Sequence, residues 1–139
     1  MSDSQRFPVA AHVLAYLAHK EALSAASAVS SGELATSIAI NPVVVRRVTA
    51  MLARAGLIAT RRGAAGGAWL IRPADRIGLD LVLRAVNGCG HFGALPMGSK
   101  DCPVGERLPK AVQAAIKAAD EAAARQLSST SVADLLAAD

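Results

Sequence analysis

The sequence predicts a mainly α-helical fold with a small β-wing: a winged helix-turn-helix domain followed by a long carboxyl-terminal dimerisation helix. Three observations support this prediction. Apolar residues recur at helical spacing through most of the chain. The period changes to that of strands only between residues 57 and 72, around a glycine-rich tip. An alanine-rich segment, 103–127, then has the spacing of one long helix.

The composition fits one folded domain and argues against several classes of protein. The chain has 139 residues, of which 53% are hydrophobic and 19% charged, so it can bury a core. Only 3% are aromatic, which disfavours a stacking platform for single-stranded nucleic acid. No apolar run reaches the roughly 20 residues that cross a bilayer, so we expect no membrane partner. Two cysteines and no secretory signal predict a protein of the reducing cytoplasm.

The first three helices are predicted from spacing and capping residues. The first covers Phe7–His19, and Ser30 with Glu33 has the spacing of a capping box that opens the second. Asn41 caps the third helix and Gly56 ends it. Apolar residues three or four apart form its inner side: Val45, Val48, Leu52 and Ala55. Two short helices joined by a tight turn are typical of a helix-turn-helix.

Two strands with a glycine-rich turn follow the third helix. The strands are predicted at Leu57–Arg62 and Ala68–Arg72, with Gly63–Gly67 between them. A strand pair directly after a helix-turn-helix is typical of a wing, which lies over the DNA backbone beside the recognition helix. The glycine stretch opens no helix and lacks the Gly-Lys-Ser/Thr ending of a nucleotide-binding loop.

The carboxyl-terminal part is predicted to contain three helices and one loop. The elements are a helix at Leu79–Val86, a loop at 87–101, a long helix at Pro103–Leu127 and a short helix at Val132–Leu136. Thr130 or Ser131 is placed to cap the last helix. The predicted units are a DNA-binding domain at 1–76, a connecting helix with a cysteine-containing loop at 77–103, and a dimerisation helix with the short last helix at 104–139.

The long helix predicts a homodimer. Its face of small residues lets another helix approach closely, and the predicted seam consists of Val112, Ile116, Ala119 and Ala123. Packing of this face on its own domain is the alternative. We favour the dimer because isologous dimers are the commonest assembly.

Positive charge is concentrated in one segment. The net charge is +4, yet residues 41–76 hold seven arginines and one acid, or +6, while the remainder holds eight basic and ten acidic residues, or −2. A guanidinium binds phosphate oxygens or a guanine edge with two parallel hydrogen bonds. Because this segment contains the predicted recognition helix and wing, we expect double-stranded DNA as the partner.

The third helix and the wing are expected to contact an operator. Arg46 or Arg47 is predicted to bind guanine O6 and N7, and Val43 to touch a thymine methyl. Arg62 leads into the wing tip and is predicted to contact the backbone or a narrow minor groove, whereas Arg61, on the opposite strand face, is predicted to be solvated. The predicted DNA-binding residues are Asn41, Val43, Arg46, Arg47, Arg62, Gly66 and Gly67.

Catalytic and zinc-binding signatures are missing from the sequence. The histidines His12, His19 and His91 are far apart, without His-Glu-x-x-His or Cys-x-x-Cys spacing, and no nucleophile motif is present. We therefore predict no enzyme and no metal site. A winged helix that binds protein instead of DNA is the alternative class, and the salt dependence of duplex binding separates the two.

The order of parts resembles the Rrf2-type winged-helix bacterial transcriptional regulators. The residues that carry the resemblance are Arg62-Gly63-Ala64-Ala65-Gly66-Gly67-Ala68-Trp69-Leu70, Leu52-x-x-Ala55-Gly56-Leu57, Ile77-x-Leu79-x-x-Val82-x-x-Ala85-Val86 and Ser131-Val132-Ala133-Asp134-Leu135. In the wing, Ala68 stands where the family usually has an aromatic residue, and Trp69 follows it. The resemblance implies a homodimeric DNA-binding regulator that reads an operator with two half-sites, and we expect it to act as a repressor.

The cysteines depart from the pattern of this family. Its cluster-binding members carry three closely spaced cysteines before the long helix, and here Cys102 matches only the last of them. Cys89 lies earlier, Gly105 stands where some members place a histidine, and the sequence has no third cysteine. We therefore expect no cofactor, although an iron–sulfur centre completed by His91, or a small-molecule effector, stays an alternative.

The pair Cys89 and Cys102 is predicted to form a thiol switch. Cys102 precedes Pro103 at the start of the long helix, where unpaired N–H groups and the helix dipole favour the reactive thiolate. Cys89 lies in a glycine-rich connection that is able to bring the two sulfurs together. The alternative is that both cysteines are inert apolar residues.

Overall fold

The computed structural model describes residues 5–87, 92 and 95–138. Its helices are α1 Arg6–His19, α2 Ser31–Ile38, α3 Pro42–Arg54, α4 Leu79–Val86, α5 Pro103–Leu127 and α6 Val132–Ala137, and its strands are β1 Ile58–Arg61 and β2 Gly67–Leu70. Single 3₁₀ turns occur at Ala25–Ser27 and Ala74–Arg76. The predicted fold class, mainly helical with one small antiparallel sheet, is confirmed.

Local capping fixes the helix-turn-helix. The Asn41 side-chain oxygen accepts a hydrogen bond from the Val43 N–H at 2.9 Å, as predicted for the start of α3. Ala39 adopts a left-handed conformation with φ 61°, which gives the chain the sharp turn between α2 and α3. The Ser30 hydroxyl likewise accepts from the Glu33 N–H at 3.1 Å.

Glu33 does not complete the predicted capping box. Its carboxylate accepts a hydrogen bond from the Tyr16 hydroxyl at 2.9 Å and lies 3.8 Å from the Lys20 ammonium group. Because the Glu33 carboxylate binds these two residues of α1, it does not turn back to the Ser30 N–H as a capping box requires. Glu33 therefore ties α2 to α1, and its hydrogen bond raises the pKa of Tyr16.

The hydrophobic core is built around α1. This helix packs against α2, α3, α4 and α6, and its Val13, Leu14 and Leu17 are fully buried. Burial of one such leucine contributes about 1.5–3 kcal/mol, so the inner sides of these short helices determine how they pack. The two helices of the helix-turn-helix are thereby packed on α1 beside the sheet.

The wing is anchored along both edges of β2. β1 pairs with β2 in an antiparallel register that aligns Ile58 with Leu70. On the other edge, Val29 and Ala68 exchange two backbone hydrogen bonds of 2.9 and 2.8 Å. The segment 24–30, between α1 and α2, therefore also supports the wing.

The chain end returns to the winged-helix unit. The Leu79 N–H donates to the Thr130 carbonyl and the Val132 N–H to the Ile77 carbonyl, both at 2.9 Å. Ser131, rather than Thr130, caps α6, since its hydroxyl accepts from the Asp134 N–H at 3.1 Å. Val132 is fully buried in the core beneath α1. Within the described ranges, no helix has the length and apolar character that spanning a membrane requires.

Candidate DNA-binding surface

The recognition helix α3 separates its apolar and basic residues. Val45, Val48 and Leu52 are fully buried. On the other side, Val43 is 44% exposed, and Arg46 and Arg47 are exposed. The amino-terminal part of α3, the part that enters the major groove in helix-turn-helix proteins, therefore presents two guanidinium groups and one apolar side chain.

The arginines of this surface are available to an external anion. None of the acidic side chains that the structure describes lies within ion-pair distance of Arg46, Arg47 or Arg62. Asn41 is exposed but uses its side-chain oxygen to cap α3. The contact with DNA predicted for Asn41 would therefore be made by its side-chain NH₂ group, which is a hydrogen-bond donor.

Close packing of the backbone leaves no room for a side chain at Gly66 or Gly67, which the sequence did not show. A side chain on Gly66 would meet the Arg61 carbonyl, and one on Gly67 would meet the Val29 carbonyl. Both glycines are half-buried. The sequence placed them against DNA because they lack side chains. The structure shows that close backbone packing, within the wing at Gly66 and against the segment before α2 at Gly67, already requires glycine at both positions.

Arg61 is exposed, as predicted, and it also makes one hydrogen bond within the wing. Its guanidinium donates a hydrogen bond to the Ala65 carbonyl at 3.3 Å, across the hairpin tip. The Gly66 N–H donates to the Gly63 carbonyl at 2.9 Å and closes the turn. Arg61 is therefore solvated and also contacts the hairpin tip through one of its five N–H groups.

A cavity of about 560 Å³ lies between the start of α2, α3 and the wing. Its walls include Ser30 and Ser31 before and at the start of α2, Arg46 and Thr49 on α3, and Thr60, Arg61 and Arg62 on the wing. Three arginines and no acidic residue are among the residues that line it. Sequence reasoning missed this cavity because its walls come from three separated segments.

Cys102 is exposed at the amino-terminal end of α5. It is the N-cap residue, and its carbonyl accepts from the Glu106 N–H at 2.8 Å. Hydrogen bonds from the backbone N–H groups of Gly105 and Val104 lower the pKa of the Cys102 thiol. Its predicted partner Cys89, together with His91, lies outside the described residues.

The donor set of an all-cysteine iron–sulfur site is not present in this chain. The sequence supplies two cysteines, and Gly105 stands three positions after Cys102. Across residues 5–87, 92 and 95–138, no three His, Cys, Asp or Glu side chains are grouped so as to hold a metal ion. The described residues therefore do not fit a cluster held by three thiolates of one chain.

An exposed basic recognition helix beside a basic wing defines a winged helix-turn-helix protein. The chain belongs to the Rrf2 family, described as iron-dependent transcriptional regulators, which matches residues 3–138. It is 31% identical over 134 residues to YwnA of Bacillus subtilis, assigned as an HTH-type transcriptional regulator, covering 96% of each chain. Members of this family are transcriptional regulators and not enzymes, as predicted.

Solved structures agree with this assignment. A protein assigned to DNA binding matches with a TM-score of 0.72 and 31% identity, over 94% of this chain and 98% of that chain. CymR, the global cysteine regulator of B. subtilis, matches with a TM-score of 0.62 and 22% identity, over 100% of this chain and 98% of that chain. At that identity the likeness to CymR shows the fold alone.

Proposed function

We propose that this protein is a homodimeric repressor that binds a two-half-site operator through α3 and the wing of each protomer. The observation that carries the proposal is the outward row of Val43, Arg46 and Arg47 on a helix whose other side is fully buried. Repression is the simplest outcome, since a dimer bound across a promoter blocks it without a further contact.

The side chains on α3 favour particular bases. A guanidinium binds the O6 and N7 acceptors of guanine with two parallel hydrogen bonds, and a valine methyl packs on the C5 methyl of thymine. Arg46 and Arg47 supply the first contact and Val43 the second. We therefore expect guanine and thymine at the most selected positions of each half-site.

Selection of bound duplexes from a random library tests the proposal directly. The full-length protein should enrich an inverted repeat whose half-sites are centred about one helical turn, or about 10 base pairs, apart. Affinity for the enriched duplex should fall steeply as salt is raised. A protein-interaction module would enrich no sequence, and its binding to duplex would not discriminate between the selected site and random DNA.

Support for the dimer comes from the uncovered apolar side of α5. None of the residues of α5 is buried within the protomer, and Val104, Leu108 and Val112 are 60%, 53% and 37% exposed. The helix contacts α4, and Leu127 packs on the core. The exposed large apolar side chains lie in the amino-terminal half of α5, whereas Ile116, Ala119 and Ala123 are half-buried within the protomer. A second copy that packs along α5 covers this side and continues over the predicted seam residues Val112, Ile116, Ala119 and Ala123.

Thiol control is the regulatory part of the proposal. The lowered pKa of Cys102 favours the thiolate, which attacks hydrogen peroxide to give a sulfenic acid and releases hydroxide. The Cys89 thiol then displaces water from that sulfenic acid and forms the disulfide, so peroxide accepts both electrons. The bond would link the residue that caps α5 to the connection after α4, and thereby move the dimer helix relative to the DNA-binding unit.

Three measurements test whether thiol oxidation controls operator binding. Thiol titration before and after peroxide should show two thiols lost per chain, and oxidation should change operator affinity in the wild type but not in Cys102→Ser. Anaerobic purification followed by a visible spectrum and metal analysis should show neither a cluster nor bound iron. An oxidised protein that contains the disulfide yet binds the operator unchanged contradicts the switch.

A further inference from the structure

We propose that two copies of this chain pair through α5 in antiparallel orientation, in a register that places Arg107 of each protomer beside Glu121 of the partner subunit. The proposal rests on the homodimer of the proposed function. It adds the direction and the register of the pairing, and it names the charged residues that select the partner.

Helix α5 carries a row of exposed apolar residues, called the apolar row below. Steps of four and three residues alternate along it, which is the seven-residue repeat of helices that pair as a coiled coil. All its members are exposed in the protomer: Val104, Leu108, Ala111, Ala115, Ala118 and Ala122. Ile116 and Ala123 of the predicted seam lie beside this row and are half-buried. The apolar row is therefore the part of α5 that another helix is able to cover.

The large side chains of the apolar row are confined to one end. Val104 and Leu108, in the first two turns, are 60% and 53% exposed, and every later member is alanine. An antiparallel partner places Val104 against Ala122 of the partner subunit and Leu108 against Ala118 of the partner subunit. Each of these layers then combines a large side chain with a small one, which lets the two helices interdigitate. A parallel partner would place leucine against leucine at one end and alanine against alanine at the other, so the helices would not stay equally close.

One antiparallel register gives every member of the apolar row a partner. In this register Ala111 faces Ala115 of the partner subunit at the centre of the pair. Val112, 37% exposed, then meets Val112 of the partner subunit beside the twofold axis. A shift by one seven-residue repeat in either direction leaves two of the six members without a partner. Because buried apolar area stabilises the pair, the register with all layers filled is favoured.

Charges beside the apolar row agree with this orientation. Arg107 and Glu121 each stand one position before a member of the row, so they lie on the same flank of it. An antiparallel partner brings this flank of one helix against the same flank of the other, and the opposite charges therefore meet twice by symmetry. In a parallel pair this flank faces the opposite flank, where Gly105, Val112 and Ala119 carry no charge.

Both charged side chains are available for this contact. Arg107 and Glu121 are exposed, and neither has an ion-pair partner among the residues that the structure describes. The Arg107 Nε–H donates to the Pro103 carbonyl at 3.3 Å, which leaves the two NH₂ groups of the guanidinium for an external acceptor. Flanking charges set orientation and partner choice in paired helices. They favour a second copy of this chain over a helix that has a similar apolar row but other flanking charges.

Cysteine crosslinking tests the direction and the register. Val104→Cys and Ala122→Cys are each introduced into a Cys89→Ser/Cys102→Ser protein, which has no other thiol. The two proteins are mixed under reducing conditions until subunits exchange, and are then oxidised with diamide. The mixture should give a disulfide between the two different chains. Neither protein alone should crosslink, because its two thiols would lie 18 positions, or about 27 Å, apart along the pair. Gln113→Cys, at an exposed position on the opposite side of α5, should not crosslink either.

Charge reversal tests the ion pair. Arg107→Glu should raise the dimer dissociation constant about fivefold, since each exposed pair contributes little but occurs twice. Adding Glu121→Arg to this variant should restore the wild-type constant. Lys110→Glu makes the same charge change at an exposed residue away from the flank and should leave the constant unchanged. Sedimentation velocity measures these constants, and far-ultraviolet circular dichroism identifies any variant that is misfolded.

Each outcome has a defined meaning. Wild-type protein that sediments as a monomer overturns the proposed homodimer and the register together. A dimer in which Val104→Cys or Ala122→Cys crosslinks with itself, and not with the other variant, is parallel and overturns the proposal alone. A dimer that gives no disulfide in the mixture has its seam elsewhere and also overturns it. If Glu121→Arg does not restore the Arg107→Glu dimer, these two residues do not select the partner.

Discussion

Helices α3 and α5 are both partly uncovered in the protomer, but their exposed sides have opposite chemistry. α3 buries three aliphatic residues completely and exposes arginines, whereas α5 buries none of its residues and exposes valine and leucine. An arginine surface without neighbouring acids favours a polyanion. An exposed apolar side on a long helix favours another protein surface, because leaving it in water forgoes about 25 cal/mol per Å². The two helices therefore point to two different partners.

The largest expected effect is on the apolar side of α5. Ile116→Glu places a carboxylate without a partner in the proposed dimer seam, which should cost on the order of 3 kcal/mol and raise the dimer dissociation constant about a hundredfold. Sedimentation velocity measures the change. Gln113→Glu adds the same charge at an exposed position of the same helix and should leave the dimer intact. An Ile116→Glu protein that sediments as the wild-type dimer excludes this residue from the seam.

The next effect concerns the arginines of α3. Arg46→Ala and Arg47→Ala should each be tested on the selected operator and on random duplex. Loss of the arginine that reads a base costs about 1–3 kcal/mol on the operator and much less on random DNA, because only the operator offers the matching guanine. Arg125→Ala serves as the control for the lost charge. If both α3 variants bind the operator as tightly as wild type, α3 does not read the bases.

The contrast between the two helices shows what the sequence is able to predict. Around α3 the decisive signals are local: Asn41 as the cap, and Val45, Val48 and Leu52 at helical spacing. These local signals correctly predicted the helix, the residue at which it begins and its buried side. For α5, spacing predicts a helix but not which part of its apolar side α4 covers, since that depends on the packing of residues far apart in sequence.

In the wing, too, contacts between residues that are far apart in the sequence were not predicted. The glycine run identified the hairpin, but the reason for Gly67 is the close approach of Val29, which is 38 positions earlier. The strand period placed Arg61 on an exposed side, as the structure has it, but it does not describe the hairpin tip, where the Ala65 carbonyl accepts a hydrogen bond from the guanidinium. The cavity needs three segments at once, so no local pattern predicts it.

Arg62 provides a smaller effect that separates backbone contacts from base reading. It is exposed at the entry to the wing tip and is among the residues that line the cavity between α2, α3 and the wing. Arg62→Ala should weaken operator and random duplex alike and reduce the magnitude of the slope of log K against log salt by about 1, the contribution of one phosphate contact. Binding titrations at several salt concentrations measure the slope. An unchanged slope removes Arg62 from the interface, even if affinity falls.

The smallest effect is at Cys102, where the backbone alone changes the chemistry of an exposed side chain. The N–H groups of Gly105 and Val104 stabilise the thiolate, so the pKa of Cys102 in the folded protein lies below that of the same thiol in the unfolded chain. As pH is raised, the folded protein should therefore reach its maximal rate of alkylation by iodoacetamide at a lower pH than the chain unfolded in urea. The Cys89→Ser variant isolates this signal, since Cys102 is then the only thiol in the sequence. Coincident pH midpoints for the folded and unfolded chains would show that the start of α5 does not activate Cys102, and the thiol switch would lose its physical basis.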